Sequence, residues 1–144
     1  MTTDTGVAQA NAAVMRRAVD AFGSGDMATL AEIFSPELTW HIPGRSAIAG
    51  DHVGRDAVFG LFGKMAGLTN GTFKTNALEI IGDEKGGVLV TNDTGDRNGK
   101  KLDVMLMLRV HIRDGKFVEA WDHVADLYAH DAFWSAKQQD PGTE

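Results

Sequence analysis

The chain has 144 residues, 43% of them hydrophobic, with 14 basic residues against 20 acidic ones and a net charge of −6. That is the size of one domain, apolar enough for a packed core, and too acidic for the basic footprint of a nucleic-acid binder or for docking on an anionic membrane. The absence of cysteine excludes disulfides, thiolate metal sites and a cysteine nucleophile.

Met1–Gly6 shows no basic patch leading into an apolar stretch, so no signal peptide is expected. The longest clear apolar run, Val104–Leu108, is far short of the roughly 20 residues that span a bilayer. A cytoplasmic location is the expectation. Val14, Ala18, Ala21 and Phe22 recur at helical spacing, with Gly23 placed to stop that helix. Asp26 is placed to cap a second helix over Met27–Phe34, which Pro36 closes. Leu38–Ile42 alternates apolar and polar residues and predicts a strand that Pro43-Gly44 terminates. Residues 44–54 read as a loop. Val58, Leu61, Phe62, Met65 and Leu68 form one stripe of a third helix.

The period then changes. Phe73–Ile81 predicts a strand, and the runs Val88–Arg97, Lys100–Arg113 and Lys116–Asp126 are joined by Asn98-Gly99 and Asp114-Gly115. Both dipeptides suit type I′ hairpins, whose two central residues need positive φ. Leu127–Ala136 predicts a short terminal helix, and 137–144 a tail beyond an ordered core of about 7–136. Helices first and a meander after make an α+β fold in one domain over 1–144.

Two-residue loops fix a register, and paired residues share a face. Asp93 then opposes Val104, Thr91 opposes Leu106, Leu108 opposes Trp121 and Leu106 opposes His123. One face is almost wholly apolar and would pack under the helices. Its polar residues are Thr91, Asp93, Glu119 and His123. His123 is the candidate acid/base, since imidazole titrates near neutrality, and Asp93 the candidate to orient it. Thr91, Trp121 and Trp40 would shape the site. The competing roles are a lining histidine bonded to a neighbour, an Asp93 ion pair with Lys101 or Arg97, and core packing for the tryptophans. Asp122 and Asp126 fall on the outer face, as does His41, unless a bulge shifts the register and Asp122 or His41 replaces His123 in the pocket. No histidine pair has metal-ligand spacing, and no cofactor motif is present, so no metal and no cofactor are expected.

Three strings carry a resemblance: Leu38-Thr39-Trp40-His41-Ile42-Pro43-Gly44, Gly54-Arg55-Asp56-Ala57-Val58 and Asp114-Gly115-Lys116-Phe117-Val118-Glu119-Ala120-Trp121-Asp122. With the element order, they resemble the SnoaL-like branch of the nuclear-transport-factor-2-like superfamily over about residues 7–136. The resemblance implies a cone: a curved antiparallel sheet on three N-terminal helices, with an internal pocket. It also implies polyketide cyclases, isomerases, dehydratases, epoxide hydrolases or non-enzymatic binding domains as relatives. The isomerase tyrosine on the first helix has no counterpart, because the only tyrosine is Tyr128. The resulting expectation is a small, mostly apolar ligand in the pocket and a cofactor-independent lyase, isomerase or cyclase. The alternative is a non-catalytic ligand-binding or protein-interaction domain.

The outer face holds Val88, Val90, Met105, Met107, Val118 and Val124 within a charged rim. An apolar centre with a polar rim is the anatomy of an interface, and the family resemblance implies sheet-to-sheet dimers. A homodimer through Val90, Met105 and Met107 is expected, unless the segment carrying Phe133 and Trp134 folds back over that face.

Overall fold

Both hairpin turns have the expected backbone: φ is +51° at Asn98, +81° at Gly99, +54° at Asp114 and +76° at Gly115. They join β4 (Gly86–Arg97), β5 (Lys100–Arg113) and β6 (Lys116–Val124) into the meander of a computed structural model that describes residues 4–135. Before it come α1 (Asp4–Ser24), α2 (Met27–Ile33), β1 (Phe34–Ile42), β2 (Gly50–Val53), α3 (Arg55–Leu68) and β3 (Lys74–Asp83). After it comes α4 (Leu127–Trp134). The tail expected at 137–144 lies outside the described residues. Among the described residues, four helices and one six-stranded sheet in the order β2-β1-β6-β5-β4-β3 make the α+β fold. No helix among the described residues is long and apolar enough to cross a membrane.

Asp26 caps α2 as its position predicts, its carboxylate accepting from the Thr29 amide at 3.1 Å. Two features differ from the expectation. Gly50–Val53, read as loop, forms the edge strand β2 against β1. The sheet is also not wholly antiparallel, because β1 runs parallel to β6.

The concave face packs on the helices around Met15, Leu30, Ile33, Phe34, Leu38, Val58, Leu106, Leu108, Val110 and Phe117, all buried. A second cluster closes one end, where Phe133 and Trp134 of α4 meet Ile42, Ile48, Leu61, Leu102 and Val104. The Arg97 guanidinium holds α4 there, donating to the carbonyls of Phe133 at 2.8 Å and Ser135 at 2.9 Å. The C-terminal aromatics therefore serve the inner side and do not cover the outer sheet face.

Helix α1 lies unusually close to β3. Buried Asn11 donates to the Asp83 carbonyl at 2.9 Å, and a Cβ on Gly82 would stand 2.0 Å from the Ala8 carbonyl oxygen. That neighbour is backbone and cannot rotate away. Gly82→Ala should therefore push α1 off the sheet at a cost of about 2–3 kcal/mol, in the range of overpacked cores. Urea unfolding measures it, and an unchanged midpoint would contradict this packing.

Candidate functional site

The hairpin register holds from Lys116 to Phe117 and then slips. Arg113 pairs with Lys116 and Ile112 with Phe117, but His111 pairs with Glu119. Val118 is the extra residue of a β-bulge, and one extra residue exchanges the faces of everything after it. Leu108 thus pairs with Asp122 and Met107 with His123. The expected inward placement of His123 and Trp121 is corrected: both lie on the convex face, where His123 is exposed. Asp122, expected outside, points inward. The bulge does not reach β4, where Asp93 pairs with Val104 and Thr91 with Leu106 as the turn predicts. Trp40, alternating with the outward His41 on β1, also faces in.

The concave side holds a cavity of about 100 Å³ that opens at a mouth. Phe22, Phe34, Phe62, Phe73 and Phe117 with aliphatic side chains make most of the wall, and the polar lining is Trp40, Thr75, Thr91, Asp93 and Asp122. This is the composition of a small-molecule site: mostly apolar, with a few placed polar groups. Three of the five site residues named from sequence, Trp40, Thr91 and Asp93, meet here, and His123 and Trp121 do not. Among the described residues, no cluster of three or more histidine, aspartate and glutamate side chains could hold a metal ion.

Asp93 is buried, and one carboxylate oxygen accepts from the Thr75 hydroxyl at 2.6 Å and the Thr91 hydroxyl at 3.0 Å. It has no ion pair. Lys101 is engaged by Asp96 at 2.6 Å and Arg97 by α4. Burial raises the Asp93 pKa, and the two hydroxyl bonds oppose that rise. Asp122 accepts from the Trp40 indole N–H at 2.9 Å. Its carboxyl is pushed up to about 7, first by burial and further by the Asp93 charge, with the indole bond opposing. The two acids occupy rows at Val104 and Leu108, on opposite sides of β5, so they flank the cavity.

The indole bond favours the ionised carboxyl, so its removal has a definite sign. Trp40→Phe should raise the Asp122 pKa above its value near 7. A carboxyl carbon-13 titration by NMR reads this directly, and a lowered or unmoved pKa would show that the bond does not form.

Thr75 is the site residue that sequence reasoning missed, and Asp122 entered it only as the replacement for His123 under a shifted register. Asp122 was hidden by the bulge. Thr75 lies on β3, whose own register is broken near Leu78, between Ala77 and Glu79. A serine- or threonine-bearing strand beside Asp93 was the available signal.

The convex face carries a separate polar group. His41 bonds Asp51 at 2.7 Å through Nδ1 and Glu119 at 2.6 Å through Nε2, and its ring stacks on Trp121 with centroids 5.6 Å apart. The Asp51 bond, then that of Glu119, raises the His41 pKa against a smaller desolvation effect.

Known proteins share this arrangement of chain. The structure of Bal32a, from a soil-derived mobile gene cassette, is 43% identical with a TM-score of 0.86, covering 89% of this chain and 98% of that one. A protein of unknown function with a cystatin-like fold from Xanthomonas campestris is 32% identical, with a TM-score of 0.82 over 87% and 98% of the two chains. An uncharacterized protein of Mycobacterium tuberculosis is 30% identical over 123 residues, 85% of this chain and 94% of its own. The SnoaL-like domain model matches residues 15–120. The chain belongs to the SnoaL-like domain family.

Proposed function

We propose that the cavity binds a small, mostly apolar ring compound and that Asp122 moves a proton on it without a cofactor, as in a lyase, isomerase or cyclase. The supporting observation is a pair of carboxyls in an apolar cavity with no cation among the described residues that line it. A carboxyl near pH 7 has the pKa that serves a general acid or base at neutral pH. Asp93, its pKa raised by burial against the two hydroxyl bonds, is placed across the cavity to hold a polar group of the substrate. Trp40, Thr75 and Thr91 hold the two carboxyls in place.

The test follows proton exchange at carbon. The protein is incubated in deuterium oxide with a panel of cyclic ketones, and deuterium uptake beside the carbonyl is followed by NMR. Acceleration that rises with pH through a midpoint near 7 is expected, as the Asp122 carboxylate forms. Binding of these compounds without acceleration would favour a non-catalytic ligand-binding domain.

The convex face supports a second proposal, a homodimer. Met105 and Met107 are 44% and 47% exposed at its centre, and Ile81 is 53% exposed beside them. Val90 lies on the same face, in the row of Glu79 and Met107, but is only 7% exposed. The proposed contact therefore falls on Met105 and Met107 more than on Val90.

A further inference from the structure

We propose that α4 is a movable end wall of the cavity, held shut while the imidazole of His130 is neutral and released when that ring takes a proton. The inference rests on the reading of the cavity as a ligand site and adds how that site opens.

Helix α4 backs part of the cavity wall. Trp40, Ile42, Leu61, Phe62, Met65 and Phe73 line the cavity and also belong to the cluster around Phe133 and Trp134, with the Phe73 and Trp134 rings 5.7 Å apart. The cavity measures about 100 Å³, less than the roughly 150 Å³ that takes a benzene ring. A ring compound buried in it therefore needs a wall that yields. α4 is suited to that part. It is eight residues long, and it follows β6 after only Ala125 and Asp126, so it can swing on that junction while the sheet keeps its pairing.

The closed position also carries a polar cost. Among the described residues, neither His130 Nδ1 nor Trp134 Nε1 has a hydrogen-bond partner, although both side chains are buried. They stand one turn apart on the same face of the helix, and a buried unsatisfied nitrogen destabilises the state that buries it. Opening would wet both. A proton on His130 raises the cost of closure, because Nδ1 must then donate and finds no acceptor. The charged groups that meet α4 compensate little. Arg97 of β4 and Lys100 of β5 are cations, bound to the carbonyls of Phe133, Ser135 and Ala132. Lys64 of α3 donates to the Ala47 carbonyl, in the loop whose Ala47 amide donates to the Trp134 carbonyl. Arg45 lies in that loop too, its amide donating to the Asp131 carboxylate. β1 meets the helix through Ile42, and Asp126 is engaged in the cap at Ala129. Burial holds the His130 pKa below its usual value, against the Asp131 charge, which favours the proton. The closed form thus binds protons less readily than the open one, and closure weakens as pH falls below the ordinary histidine value of 6.5.

Hydrogen exchange of the full chain, read by mass spectrometry and corrected for the intrinsic effect of pH, tests this. Between pH 7.5 and pH 5.5, the hydrogen-bonded amides of α4 should lose about three- to tenfold in protection, tenfold being near the limit for a group of ordinary pKa 6.5. The amides of β4 and β5 should lose none, since acid stabilises the sheet through Asp122. His130→Leu should hold α4 protection constant over the interval. NMR of the wild-type ring is an independent reading and should find it titrating below 6.5. No loss of α4 protection, a loss that the leucine variant shares, or a ring titrating at or above that value overturns the proposal. A neutral apolar dye, N-phenyl-1-naphthylamine, separates the reading beneath it. The dye should enter the wild type at least about threefold faster at pH 5.5 than at pH 7.5, following the open population, and equal rates overturn the opening role. A dye that does not bind at either pH overturns the cavity as a ligand site, while exchange still decides whether α4 moves.

Discussion

Asp122→Asn should produce a protein that is more stable than the wild type above pH 7 and at least about 100-fold slower in proton exchange, the contribution of a positioned general acid or base. Both effects come from one feature, a carboxyl in an apolar cavity. Its folded-state pKa is about 7, against 3.8 as the ordinary value. An acid raised on folding stabilises the native state only while protonated. Its favourable share is complete below about pH 4, is lost as pH climbs toward 7, and changes no further above that. Asparagine has the same shape, still accepts from Trp40, and never ionises. The gain over wild type should therefore grow between pH 4 and 7 to on the order of 2–4 kcal/mol. Urea unfolding of both proteins at pH 5 and pH 8 measures it. A wild-type stability that does not fall over that interval would mean that Asp122 ionises in contact with water. Any slope that remains in the variant reports Asp93, which is shifted in the same direction.

Met107→Glu should turn a dimer into a monomer at micromolar concentrations. Met107 lies in the row of Val90 and His123, with Met105 further along the same face of β5. Methionine adapts its shape to an opposing surface, whereas a glutamate buried there without a partner would cost several kcal/mol. Sedimentation velocity of both proteins decides the matter. A monomeric wild type, or a variant that stays dimeric, would sink the proposed sheet-to-sheet pairing.

The parts of the fold that local chemistry determines were legible in the sequence. Asn-Gly and Asp-Gly marked both hairpins because few other residues accept positive φ in succession. Asp26 marked a helix start because its side chain can cap only there. The inward placement of Thr91 and Asp93 followed from the unbroken pairing of β4 with β5, and that of Trp40 from its alternation with His41. The rest depended on a single residue. Lys116–Val124 alternates plausibly in either register, and Val118 is neither glycine nor otherwise distinguished, so nothing local reveals that it is the one left out of the pairing. β2 was illegible for a different reason. Four residues opening on glycine, Gly50–Val53, carry too little pattern to separate an edge strand from a loop.

The bulge at Val118 makes the last strand a ribbon with two alternative chemistries, one on each side. In the present phase the ribbon turns Ala120, Asp122 and Val124 to the concave side, with Asp122 lining the cavity, and Glu119, Trp121 and His123 to the outside. Deleting Val118 would restore the simple pairing and rotate the ribbon by half a turn. An imidazole and an indole would then enter the cavity, and the acid of pKa near 7 would leave it. A one-codon deletion could thus exchange the reactive group of the site while every turn, helix and hydrogen-bonded row upstream stayed where it is. In a fold of this kind, chemical repertoire can change by phase as well as by substitution.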